Sequence, residues 1–365
     1  MEQKITQINR KLYFDIIRII ALLSIVMVHV SAYLVIKYPD PRGTIYIISD
    51  IFNGISRAGV PLFIMLSGAL LLNEDKPFDT KRFYKGSLLW MVLLFIGWLL
   101  FYAAFYAFIL PSLTGGTSSW QMFADFILSF KGTDYPHLWY MFMIVGGYLM
   151  IPVLRLFVKR ENRNYIFWMI VGSIIIQFAA KSADTFVTSD AIINVSGFMK
   201  KFHMEPLTGY TGYFLLGWYL SEFDLKKASR ILIYSVTVIL LTFSIFALQQ
   251  WVEFIPAIRE KLYEELSLTA CFFGISFFIL IKTLFKEKES KSKLLTDFSK
   301  NSFGMYMIHI VYLELFTKVW FPYDKVSAGV IAYILITCFA DLALSYITVW
   351  AVGKIPLVKK IFYLK

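Results

Sequence analysis

The sequence predicts an all-α integral membrane protein, a bundle of about ten transmembrane helices with both termini in the cytoplasm. Three observations carry this expectation. Apolar runs of about 18 residues or more recur along the 365-residue chain, and one span needs about 20. The chain is 58% hydrophobic with positive mean hydropathy, which overrides the two or three soluble domains that length alone suggests. Lys and Arg are dense in alternate interhelical segments and sparse in the others. Since only helices or closed barrels satisfy their backbone in hydrocarbon, and these runs are too long and too uniformly apolar for barrel strands, helices remain.

The first run, 12–36, is too long for a signal-peptide core and lacks a small-residue cleavage site, so it reads as a retained first helix. Further spans are predicted at 46–72, 87–110, 137–158, 164–181, 206–222, 229–250, 266–285, 301–320 and 327–350. With the N-terminus inside, 24 of the 36 Lys and Arg residues lie on the cytoplasmic side against 10 outside. Arg18 and Arg57, the remaining two, lie within apolar runs. The net charge of +11 is thereby explained as orientation, and nucleic acid is not expected as a partner. The longest outer loops are 111–136 and 182–205, and WQMFADFILSF (Trp120 to Phe130) in the first suits a short helix lying in the interface. The inner segment KTLFKEKESKSK (Lys282 to Lys293) reads as a solvated charged loop. Residues 1–365 are expected to form one transmembrane domain with no soluble domain and no internal repeat. Cys271 and Cys338 fall inside apolar runs and read as buried thiols. The four scattered histidines make no metal spacing, and there is no Gly-rich phosphate loop.

The first span, FDIIRIIALLSIVMVHVSAY from Phe14 to Tyr33, carries an arginine and a histidine where each costs a few kcal/mol or more. At about 100° per residue, Arg18 and His29 differ by only about 20°, so they share one helix face, roughly 16 Å apart along the axis. Arg18 falls near the cytoplasmic edge, with Asp15 one turn earlier as a local partner, and His29 in the outer half. One face thus joins a cationic inner mouth to a titratable group deep in the membrane. The structural alternative is that Arg18 reaches lipid phosphates while His29 bonds a neighbouring helix.

The chain resembles acyltransferase family 3, multi-pass membrane proteins that modify surface glycans and related acceptors. A basic residue, ten intervening residues and a histidine match the family's first helix at Arg18 and His29. SRAGVPLFIMLSGALLL (Ser56 to Leu72) looks like its second helix, and DTKRFYKGSLLW (Asp79 to Trp90) like its basic stretch, with Arg82-x-x-Lys85 where many members have Arg-x-x-Arg. HLWYMFMIVGGYLMIPVL (His137 to Leu154), GYFLLGWYL (Gly212 to Leu220) and NSFGMYMIHI (Asn301 to Ile310) complete the likeness in order.

The resemblance implies transfer of an acyl group, often acetyl and sometimes succinyl, from cytoplasmic acyl-CoA to a hydroxyl on the far side. The co-substrate acyl-CoA, acetyl-CoA first, would be used rather than permanently bound, and Arg18, Arg82 and Lys85 would meet its phosphates. His29 would take the acceptor's proton, with a transient acyl-histidine as the alternative. Arg57 would stabilise an oxyanion or anchor a substrate anion, or else pair with Asp50. His137 and Trp139 at the start of the fourth span are candidates for the acceptor side, set against an ordinary interfacial aromatic belt. His309 would line the same cavity, or be a packed core histidine. Glu314, Asp341 and Gln177 match no pattern, and His203 reads as incidental. The partners implied are membrane lipid, the glycan acceptor and glycan-synthesis machinery, in a bacterial plasma (inner) membrane. The rival reading is an exporter or flippase of a surface polysaccharide, although no pair of Gly/Pro-broken helices occupies corresponding halves. A passive scaffold fits least, because it needs no intramembrane cations.

Overall fold

The computed structural model describes residues 11–128, 137–186, 209–251, 264–321, 326 and 329–355. Among them every regular element is helical, apart from one isolated bridge between Lys11 and Glu289. In chain order the helices are α1 (Leu12–Lys37), α2 (Thr44–Leu71), α3 (Thr80–Thr114), α4 (Trp120–Leu128), α5 (Trp139–Phe157) and α6 (Arg163–Phe186). Then come α7 (Tyr210–Glu222), α8 (Lys227–Trp251), α9 (Leu268–Phe285), α10 (Lys293–Leu315) and α11 (Val330–Val352). A 3-10 turn at Ser56–Ala58 interrupts α2, and π-helical stretches occur at Tyr84–Leu88 and Phe105–Ile109 in α3.

Among the described residues, seven helices are long and apolar enough to cross a membrane, namely α1, α2, α3, α5, α8, α9 and α11. The other three predicted spans, α6, α7 and α10, are helical too, and the last two depart from the ordinary pattern. Only 13 residues long, α7 buries Gly212 to Trp218 on every side, as a helix wholly inside a bundle does. Charged residues mark α10, which carries Lys293, Asp297, Lys300 and Glu314. The short helix expected near Trp120 is present, with Trp120, Met122 and Leu128 exposed. His203, Lys4, Arg10 and Lys131 lie outside the described residues, as do the basic residues after Ile355.

Helix α1 is the hub and packs against α2, α9, α10 and α11. Its buried residues Ile17, Ala21, Leu22, Ile25, Val26 and Val30 occupy more than one face, so no side of it is left for lipid alone along much of its length. The closest backbone approach is between α2 and α7. A Cβ at Gly217 would stand 1.8 Å from the Met65 carbonyl oxygen, and one at Gly68 would stand 2.0 Å from that of Phe214. Helices associate in lipid by such contact of small residues, since apolar side chains gain little by leaving the hydrocarbon. Both glycines sit in the stretches that carried the family resemblance.

Polar contacts gather several connecting segments at one end of the bundle. Leu12 N donates to the Lys288 carbonyl at 3.0 Å. Arg160 donates to Asp75 at 2.8 and 2.6 Å and to Glu222 at 2.8 Å, and pairs with Glu74 at 3.0 Å, closing three loops together. The hydrogen bond and charge of Arg160 hold the Asp75 carboxyl below its ordinary range. Arg155 donates to the carbonyls of Leu71 (2.7 Å) and Lys76 (2.8 Å) and lies over the Phe78 ring. These segments are among those that the charge count assigned to one side.

The α2–α7 contact makes a sharp prediction. Gly217→Ala should destabilise the detergent-solubilised protein by about 1–3 kcal/mol or more, as overpacking does. Gly97→Ala, where an added Cβ meets nothing within 4 Å, should leave its thermal midpoint unchanged. Equal midpoints for the two variants would remove the close contact from the account.

Candidate active site

Arg18 and His29 of α1 both meet α10. Arg18 Nη1 donates to Ser299 Oγ at 2.9 Å, and the Ser299 hydroxyl donates to Asp15 Oδ1 at 2.7 Å. The predicted local pair of Arg18 and Asp15 is present at 3.8 Å. Asp15 is buried, whereas the Arg18 side chain remains 23% exposed. Farther along, the ring of His29 lies 5.3 Å from that of His309. His29 is partly exposed and His309 is fully buried.

The tautomer of His309 follows from its neighbour. Its Nδ1 faces the Tyr306 carbonyl oxygen, which can only accept, so Nδ1 carries the hydrogen and Nε2 is left as an acceptor. Among the described residues Nε2 has no hydrogen-bond partner. His137, expected at the outer interface, is instead buried. Its ring packs edge-on against Tyr102 at 4.5 Å and lies 5.7 Å from that of His309. Neither His137 nitrogen has a partner among the described residues, while its carbonyl accepts from Tyr306 Oη at 2.7 Å. Three of the four histidines, distant in sequence, thus form one cluster. Trp139 is not part of it: its ring lies against Tyr210 at 5.9 Å.

Arg57 is held by a residue that the sequence did not flag. Its Nε and Nη2 both donate to Asn53 Oδ1, at 2.9 and 2.6 Å. The same amide's Nδ2 donates to the Val28 carbonyl and to Ser31 Oγ, both at 3.1 Å. Val28 and Ser31 bracket His29, so one buried amide ties Arg57 to the turn of α1 that carries the histidine. The positive charge of Arg57 acts on His29 across this short link.

Two adjoining cavities approach the cluster as far as Tyr306. The larger, about 800 Å³, is lined by Phe78, Arg82, Lys85, Trp90 and Tyr148 among others. Asp79 caps the helix start by accepting from Arg82 N, and the π-helical stretch that follows carries Lys85. Such π turns are frequent at functional sites. The smaller cavity, about 160 Å³, is lined by Arg18, Ser67, Tyr140, Ser302 and Tyr306, with apolar residues between them. Leu71 and Tyr148 line both. Tyr306 then stands between the small cavity and the histidines, its ring 5.5 Å from that of His309.

Two further buried carboxyl groups lie beyond the cluster. Glu314 Oε1 accepts from Tyr33 Oη (2.7 Å) and Tyr106 Oη (3.2 Å), and Lys318 Nζ lies 2.6 Å from Oε2. Asp341 accepts from Ser345 at 3.1 Å, and its Oδ2 has no partner among the described residues. Gln177 donates to the Leu266 carbonyl, bridging α6 to the start of α9. Cys271 and Cys338 are free and buried, as expected.

A family model described as an acyltransferase domain matches residues 11–350, nearly the whole chain. The chain belongs to acyltransferase family 3. No curated protein and no solved structure matches it. The family and the seven apolar helices together make it a multi-pass membrane protein of an acyltransferase family. Of the residues in the stretches that carried the resemblance, Arg18, Arg82, Lys85, Ser302 and Tyr306 line the cavities, and Gly68 and Gly217 bring helices together.

The bridge through Asn53 is testable by stability. Asn53→Leu keeps the branched shape and removes all four hydrogen bonds of the buried amide, leaving the Arg57 guanidinium without this acceptor. The expected loss is about 1–3 kcal/mol in detergent. A variant that melts with the parent would mean that Asn53 does not hold Arg57 to α1.

Proposed function

We propose that the protein is an acyl-CoA-dependent O-acyltransferase of a bacterial plasma (inner) membrane. On this reading, both termini and the Arg160 end of the bundle face the cytoplasm. The enzyme moves an acyl group, acetyl before succinyl, from cytoplasmic acyl-CoA to a hydroxyl of an extracytoplasmic surface polysaccharide or lipid-linked glycan. The supporting observation is continuity: the cavity of Arg82 and Lys85 adjoins that of Arg18, which reaches Tyr306, whose neighbour His309 lies against His29.

The chemistry assigns a task to each position. Acyl-CoA is polyanionic, and Arg82 and Lys85 sit exposed at the wide mouth where phosphates are most easily neutralised. Arg18 is farther in, fixed by Ser299, and meets the donor's remaining negative charge. The thioester end continues past Tyr306 toward His29. There one His29 nitrogen takes the proton of the acceptor hydroxyl as its oxygen attacks the thioester carbon. The tetrahedral oxyanion lies within the field of Arg57. The carbon–sulfur bond then breaks, and the CoA thiolate takes the proton back from His29. The product ester remains on the glycan. His137 and His309 border the acceptor's approach, and Trp139 belongs to the rim near Tyr210.

The test compares wild type with His29→Ala in a strain deleted for the chain. Ester-linked acyl groups on the surface polymer should fall to the deletion background while polymer still reaches the surface. Normal acylation with lost export would instead establish the exporter. For the donor, Arg18→Ala should weaken acyl-CoA binding in detergent about 10-fold or more, as loss of a charge-assisted contact does. Unchanged binding would take Arg18 out of the donor site.

A further inference from the structure

The buried histidine pair calls for its own account, because His309 is held in a form that fits only one kind of neighbour. Its Nδ1 hydrogen is committed to the Tyr306 carbonyl, so its ring cannot rotate without breaking that bond inside the bundle. Nε2 is therefore a fixed lone pair in a site closed to solvent, with no donor among the described residues. A buried acceptor without a donor costs about 1–3 kcal/mol, and in native proteins such groups are concentrated where a partner arrives later.

The groups that face it are few. From α1 comes His29, at a ring separation of 5.3 Å. From the turn before α5 comes His137, at 5.7 Å and nearly perpendicular. From α10 itself comes Tyr306, whose hydroxyl is already committed to the His137 carbonyl. From α3, Tyr102 donates its hydroxyl to the Met307 carbonyl at 2.6 Å. Two imidazoles joined through N–H and N place their ring centres about 5 Å apart at ordinary hydrogen-bond length; at 5.3 Å the His29 ring is close to that separation, and a reorientation of its ring would bring an N–H onto Nε2. His29 is also the one histidine of the cluster with partial exposure, hence the one that substrate can reach.

We infer that His309 is the positioning residue for His29: its Nε2 accepts the N–H of one His29 nitrogen, so that the other nitrogen is left unprotonated toward the acceptor hydroxyl. The inference rests on the proposed acyl transfer and adds a residue to it. The logic is that of a base oriented by a third group, with a neutral imidazole in place of a carboxylate. A neutral partner suits this location, since a carboxylate facing His29 in hydrocarbon would need a second cation to balance it. Arg57, tied through Asn53 to the turn of α1 that carries His29, then acts on the developing oxyanion. When His29 takes the acceptor proton it becomes an imidazolium whose second N–H still points at His309 Nε2. The proton leaves again with the CoA thiolate, and His309 is unchanged over the cycle.

Steady-state acyl transfer by the purified full chain, with acetyl-CoA as donor, tests this. His309→Phe keeps the ring and removes the acceptor; kcat should fall about 100-fold or more with the KM for acetyl-CoA unchanged. His309→Gln, which sets an amide oxygen where Nε2 stood, should recover activity to within about 10-fold of wild type. His309→Leu serves as the second apolar variant if the phenyl ring does not fit, with thermal midpoints reported for all three. The inference is overturned if a folded apolar variant keeps wild-type kcat, if KM rises in place of the kcat loss, or if Gln is as impaired as Phe. Absence of transfer by the wild-type protein under the same conditions, with no acyl-CoA consumed, would fall on the acyltransferase reading itself.

Discussion

In hydrocarbon a polar side chain has no water to fall back on, so the Asn53 amide must place its hydrogen bonds inside the protein. It does so across the one junction where misplacement would matter. Its oxygen holds Arg57 and its nitrogen holds the turn of α1 on either side of His29. Without that bridge, Arg57 would have reason to snorkel toward an interface, as long basic side chains near helix ends do. The 3-10 turn at Ser56–Ala58 falls at Arg57 itself. The arginine is therefore carried on a local break in α2 and returned to the helix axis by an amide one turn earlier.

The same constraint explains why α10 looks poorly suited to a membrane and is nevertheless central. Asp297, Ser299, Asn301, Ser302, Tyr306, His309 and Glu314 give it a mixed character, yet most of these side chains are buried. Three of them are tied to different neighbours: Ser299 to Asp15 and Arg18, Tyr306 to the His137 carbonyl, Glu314 to Tyr33 and Tyr106. Polar groups within the bundle act as specific latches, individually modest but selective for one arrangement of helices. The glycine contact of α2 with α7 supplies the opposite kind of constraint, steric and non-polar, and fixes how closely those two backbones lie.

Much of this was legible in the sequence, for reasons that differ by residue. The helical class and most helix positions follow from runs of apolar residues, a signal that depends on composition and not on tertiary contacts. That Arg18 and His29 share a face follows from the helical period, and both do turn toward α10. Arg82 and Lys85, singled out by a spacing that belongs to the family, line the wide cavity. Asn53 was not found, because an asparagine in an apolar run is marked as important only by what lies across from it. His137 was expected at the interface because it begins a span next to Trp139, a pattern shared with ordinary aromatic belts. Its burial follows from the packing of Tyr102 and Tyr306 around it, which no local pattern encodes. Of the spans outside the simple hydropathy criterion, α7 is only 13 residues long, and α10 carries Asp297 and Glu314, which accept hydrogen bonds from Tyr346 and Tyr33 of other helices, and a sum along the chain does not see neighbours.

The shape of the passage bears on what can cross it. The wide cavity is open and basic, while the inner one is about 160 Å³ and walled largely by Phe63, Leu66, Leu70, Met91, Ile144 and Phe303. A polyanionic donor can rest its charge in the first and extend an uncharged thioester into the second. A sugar chain entering the same neck would strip water from several hydroxyls at once, at about 1–3 kcal/mol for each left unpaired, with Ser67, Ser302 and the Tyr140 and Tyr306 hydroxyls as the few groups able to replace it. Tyr306 already spends its hydroxyl hydrogen on the His137 carbonyl. An exporter that used this neck would have to widen it, whereas the proposed transfer of a two- to four-carbon acyl group asks only that Tyr306 let a small apolar fragment pass.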